Sequence, residues 1–235
     1  MRRSPRSSDA SFRGRASTAG AVRDAPNRAR SRKETGAALR DRQLDRLCDA
    51  LAAVPAEAPT CCEGWSAHDL AVHLWQLHRD PLAWALLPAP RLSARRLERL
   101  RRTMPYRELI VRLRGLRGPV SCMMPMDALE GYRHALGEYF VHTQDVVRAN
   151  GLPQIAADDA LEEALWRRAG VASGLLRRGC VLEHPDGRRR RSGLRPRRLV
   201  RGRPAELICW VYGRPAEVEV RRLPPASESA PSMAP

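Results

Sequence analysis

The segment GEYFVHTQDVVRA, residues 137–149, is largely apolar and aromatic, yet it carries Glu138, His142 and Asp145 at successive steps of four and three. On an α-helix those steps bring all three polar groups to one face. Such a stripe is either solvated or turned toward a polar site inside a bundle.

Most of the remaining sequence has the same helical period. AALRDRQLDRLCDALAAV, from residue 37, places Leu39, Leu44, Leu47 and Leu51 near helical spacing with charges between them. Pro55 and Pro59 stop that helix and Gly64 permits a turn. SAHDLAVHLWQLH then opens on Ser66 and Asp69 in a capping-box arrangement, which satisfies amides left over at a helix start. SARRLERLRR predicts an exposed helix, and YRELIVRLRG an amphipathic one through Leu109, Ile110 and Leu113. The longest pattern runs from Met126 to about Ala149, and a further helix follows, capped by Asp158 or Asp159.

Beyond residue 178 the period changes. CVLEHPDGRRRR reads as an apolar segment, a Pro-Asp-Gly turn and a polar segment. AELICWVYGRPAEVEVRRL reads as an apolar strand, a Gly-Arg-Pro turn and the alternation of Val218 and Val220. The expected fold is mostly α: a helix bundle over 37–177 and a small α+β domain over 178–223. Residues 1–36 are expected to form a disordered, Arg-rich tail and 224–235 a second disordered tail.

The net charge of +16 invites a nucleic-acid reading. Against it, 41 of the 42 basic residues are Arg, and the charge is segregated, with nine Arg in residues 188–203. Aromatics make up only 5% of the chain, and neither zinc-finger spacing nor an RNP-like motif is present. Nucleic acid is therefore not the expected partner. No apolar run of signal-peptide or membrane-span type occurs, so no membrane association is expected. Six Cys with no CxxC pair fit reduced thiols and a cytoplasmic location.

On the second helix His73 lies among apolar positions and is expected to point inward, while His68 and His78 fall elsewhere and are expected at the surface. His73 with Glu138 and His142 offers two imidazoles and a carboxylate from two helices. That set suits a divalent metal such as zinc, three protein ligands leaving a fourth position open. Asp145 would orient a ligand imidazole from behind or complete the coordination, and His134 lies one turn before Glu138. The plainer reading is a hydrogen-bonded Glu-His couple and a satisfied core histidine. Cys61 and Cys62 read by default as loop thiols, and no GxSxG, P-loop or GxGxxG pattern offers other chemistry.

At these residues the chain resembles a known family. PTCCEGWSAHDLAVHLW (59–75), EYFVHTQDVVRA (138–149) and GRPAELICWVYGR (202–214) are similar, in that order, to the DinB-like proteins of the mycothiol-dependent maleylpyruvate isomerase type from actinobacteria. The resemblance covers roughly residues 38–222. It implies a DinB-like four-helix bundle whose divalent metal, zinc or else nickel or iron, is held by His73, Glu138 and His142 with Asp145 in support. It also implies mycothiol as a thiol cosubstrate, with isomerase or S-transferase activity on small electrophiles. Where related chains carry HHEDVRRA, this one has HTQDVVRA, placing Thr143 and Gln144 beside the metal positions and expected to face away. The alternatives are a metal-binding protein of the same fold without activity, and a nucleic-acid binder using the Arg-rich segments.

Overall fold

Alternating apolar stripes and Pro or Gly breaks produce seven helices and four short strands among the described residues, which in this computed structural model are 25–80, 88–116 and 130–224. In chain order they are α1 (Ala25–Ala52), α2 (Ala67–Arg79), α3 (Pro90–Thr103), α4 (Tyr106–Arg114), α5 (Arg133–Ala149), α6 (Asp159–Leu176), β1 (Cys180–Glu183), β2 (Arg189–Ser192), β3 (Arg198–Arg201), α7 (Pro204–Val211) and β4 (Glu219–Arg222). The chain separates into Met1–Glu34, of which the start of α1 is described, and Thr35–Pro235, which holds every feature below. Both expected tails lie wholly or partly outside the described residues, as does the expected helix start at Met126.

Two apolar cores flank α5. Leu47, Leu51, Leu70, Leu74, Leu109 and Leu113 pack with Tyr139 and Val146 on one side. Leu136, Phe140 and Val141 pack on the other with Leu161, Leu165, Trp166, Leu182, Val200, Leu207 and Ile208. Each fully buried side chain of this size stabilises the fold by roughly 1.5–3 kcal/mol. Because thirteen of the seventeen residues of α5 are buried, its polar stripe cannot be a solvated face. Close packing reaches the backbone: a Cβ on Gly137 would stand 2.8 Å from Arg168 Cγ of α6.

Local signals act as expected at several ends. Ser66 and Asp69 form the capping box of α2, and the Asp158 carboxylate accepts from the Leu161 amide at the start of α6. The Arg-rich stretch forms a hairpin, β1 with β2, and β1 also pairs in parallel with β3, giving the sheet order β2-β1-β3-β4.

The structure corrects several expectations. The helical start lies at Ala25 rather than Ala37, because Ala, Arg, Lys and Glu favour helix even without an apolar stripe. Among the described residues helix α5 runs from Arg133, with Gly131 just before it at a positive φ of 66°. AELICWV is a helix, α7, and not a strand. Pro204 opens its first turn, and a continuous apolar run has no periodicity to separate helix from strand. Packing settles it, with Leu207, Ile208 and Cys209 fully buried in the second core.

Candidate metal centre

Helix α2 presents its histidines to three different surroundings. His68 Nε2 bonds the Met104 carbonyl at 2.9 Å, and His78 Nε2 meets the Tyr139 hydroxyl at 2.8 Å. Both are buried, correcting the expectation that they lie at the surface; α2 is covered on nearly all sides, so its off-stripe positions are covered too. Only partly buried, His73 lies against Trp65 at 4.9 Å between ring centroids and meets the edge of His142 at 5.7 Å. It makes no hydrogen bond among the described residues. Burial, then the neighbouring His142, lowers its pKa to about 4, leaving a neutral imidazole with a free lone pair near neutral pH.

On α5, Glu138 Oε2 stands 3.7 Å from His142 Nε2, beyond hydrogen-bond length. Its other oxygen, Oε1, accepts from the Tyr212 hydroxyl at 2.6 Å. Burial raises the Glu138 pKa, but His142 and that hydroxyl outweigh it and hold the group at about 2. His142 Nδ1 is 2.9 Å from Asp145 Oδ2. Burial would lower the His142 pKa, but contacts with Asp145, Cys62 and Glu138 raise it well above normal. His134 Nδ1 lies 3.9 Å from Glu138 Oε1 and has no hydrogen-bond partner among the described residues.

His142 thus lies beside both His73 and Glu138, but among the described residues these three do not place their donor atoms all within 4.8 Å of one another. His73 and Glu138 line one cavity of about 610 Å³ together with Leu77, Leu175, Leu176 and Val211. Donors around a tetrahedral ion at about 2.1 Å stand roughly 3.4 Å apart, close to the Glu138–His142 spacing. The ionised Glu138 carboxylate and the neutral His73 imidazole are donor types a divalent ion takes, and His142, whose raised pKa keeps it protonated near neutral pH, would have to give up its Nε2 proton to join them.

Sequence reading missed the groups behind these donors. Cys62, His142 and Asp145 place one donor atom each within 4.8 Å of one another, the one such group among the described residues and a possible metal cluster in its own right. Arg214 already fills it, donating to Asp145 Oδ1 at 2.7 Å and to Cys62 Sγ at 3.0 Å. A guanidinium there neutralises the Asp145 carboxylate, occupies the Cys62 sulfur and repels a metal cation. Arg168 bonds the Tyr212 hydroxyl at 2.6 Å and Glu130 at 2.8 Å, so Glu138 is the end of a buried chain of hydrogen bonds. Arg148 pairs with Glu206. Thr143 and Gln144 bond Tyr139 and Arg148 within α5 and face away from the site. The signal for Tyr212 and Arg214 was the quoted WVYGR; nothing local tied it to a helix some seventy residues earlier.

No protein-family model and no curated protein matches the chain. Two crystal structures of mycothiol-dependent maleylpyruvate isomerase, one of a mutant, are similar to it at 16% identity. The match covers 85% of this chain and 95% of theirs, with a TM-score of 0.48. Among the described residues no helix is long and apolar enough to cross a membrane, and five cysteines are free thiols.

Proposed function

We propose that the protein is a metal-dependent enzyme that uses a low-molecular-weight thiol, mycothiol, to isomerise small electrophiles or transfer sulfur to them. The observation carrying this reading is that His73 and Glu138 line one cavity with His142 next to both, His73 being held neutral and Glu138 ionised. The quoted sequence resemblance supports mycothiol as the thiol.

His73, Glu138 through Oε2, and His142 through Nε2 would hold the ion, zinc or else nickel or iron. Bound there, a divalent ion lowers the pKa of a thiol at its open position and supplies thiolate at neutral pH. Asp145 keeps the His142 Nδ1 proton in place and so aims Nε2 at the site, while Arg214 balances the Asp145 charge. Tyr212 fixes the Glu138 carboxylate and leaves one oxygen free. Leucines lining the cavity exclude water from a reacting thiolate.

Metal analysis of the purified protein beside His142→Ala tests the site, with about one ion per wild-type chain expected and little in the variant. Equal content would refute the ligand set. Full activity of chelated protein toward a maleyl-type substrate would refute the chemistry, and turnover should vanish without the thiol. A cytoplasmic setting, where such thiols are abundant, belongs to this reading.

A further inference from the structure

A second cavity, of about 550 Å³, lies where the end of α6 meets the β2–β3 loop. It is an open cleft lined by five solvent-exposed arginines, Arg177, Arg178, Arg195, Arg197 and Arg198, and by no carboxylate. Elsewhere in the Arg-rich region four guanidiniums are neutralised, Arg188 by Glu163, Arg189 and Arg201 by Glu183, and Arg203 by Glu162, while Arg190 lies over Trp166 and Arg191 donates to the Gly193 carbonyl. None of the five in the cavity forms an ion pair among the described residues. Arg177 lies over the Trp210 ring at 5.4 Å.

The two chain segments carrying these arginines are tied together through the backbone. The Gly179 amide donates to the Ser192 carbonyl at 2.9 Å, the Arg197 amide donates to the Gly179 carbonyl at 2.8 Å, and the Leu223 amide donates to the Arg197 carbonyl at 2.9 Å. Gly179 and Gly193 hold positive φ angles of 85° and 83° that shape this crossing. Like charges held together on a pinned backbone are stabilised by an anion. The planar guanidinium fork suits phosphate bidentately, and five of them exceed what a single carboxylate can neutralise.

We propose that this cavity binds a small ligand carrying two or more phosphate charges, either free or as a lipid headgroup. Its volume falls within the range of small-molecule sites. The proposal is independent of the metal reading, although the two cavities share Leu176 and Arg177.

Inorganic pyrophosphate is titrated into the full chain by calorimetry, beside Arg195→Gln/Arg197→Gln/Arg198→Gln. Arg91→Gln/Arg95→Gln/Arg99→Gln on exposed α3 serves as a control with the same loss of charge. Saturable binding of one pyrophosphate is expected, weakened at least ~10-fold in the cavity variant and nearly unchanged in the control. Binding to phosphatidic-acid vesicles with the same variant pattern, and not to soluble pyrophosphate, assigns the headgroup as the source. Equal weakening in both variants, equally tight binding of citrate, or no saturable binding to either probe would overturn the proposal.

Discussion

Replacing Tyr212 by Phe removes one oxygen from the chain that holds Glu138. In the native protein that oxygen donates to Glu138 Oε1 at 2.6 Å and accepts from Arg168 at 2.6 Å. Burial and the Glu138 charge raise its pKa well above normal, so it stays a donor. A hydrogen bond to a charged group contributes about 1.5–3 kcal/mol. The loss is tempered here, because Arg168 Nη2 already stands 3.9 Å from Glu138 Oε1 and can close on it. A net stability loss of about 1–2 kcal/mol is expected. Removing a group that orients a metal ligand lowers affinity by about 10–100-fold, or roughly 1.4–2.7 kcal/mol. The assay is competition for Co(II) or Zn(II) against a chromophoric chelator, with a urea unfolding curve on the same sample. An affinity within about twofold of wild type in a variant of normal stability would show that Tyr212 does not orient a ligand, since removing such an orienting group costs about tenfold or more.

Two further perturbations probe the frame around the site. Burial lowers His78 and His134 to about 4, as it does His73, whereas the unfolded chain protonates near 6.5. The unfolded state therefore binds more protons between those values, and metal-free protein should lose stability as pH falls from about 6.5 toward 4, by at most about 3 kcal/mol per fully buried histidine. His142, with its raised pKa, contributes fully below 6.5 and loses its contribution only as pH rises through that raised value, so it does not offset the slope. A melting temperature flat across that window would refute the burial argument. Gly137→Ala gains helix propensity of about 1 kcal/mol but drives a Cβ to within 2.8 Å of Arg168 Cγ and 3.3 Å of Ile208 Cδ1. A net loss of about 1 kcal/mol in urea unfolding is expected, and a stabilised variant would show that α5 and α6 have room to part.

Much of the helical frame was legible because its signals are local. Ser66 with Asp69 starts α2, Asp158 starts α6, and Leu109, Ile110 and Leu113 mark the buried face of α4. Each is a short-range relation that survives whatever the chain does elsewhere. The hairpin at Pro185 and Asp186 was legible for the same reason. The strand reading of AELICWV failed where local signals cancel, since an unbroken apolar run satisfies either element.

By itself, the sequence determined that α5 carries Glu138, His142 and Asp145 on one face and that α2 places His73 among apolar neighbours, because helical geometry follows from spacing alone. It also determined the segregation of arginine into one short region. Only the tertiary structure decided what each polar group faces. It brought His73 to the edge of His142, set Arg214 against Asp145 and Cys62, and ran Glu130, Arg168 and Tyr212 in a line to Glu138. Those partners come from distant segments, and their meeting depends on how two apolar cores close around one helix, which no local spacing encodes.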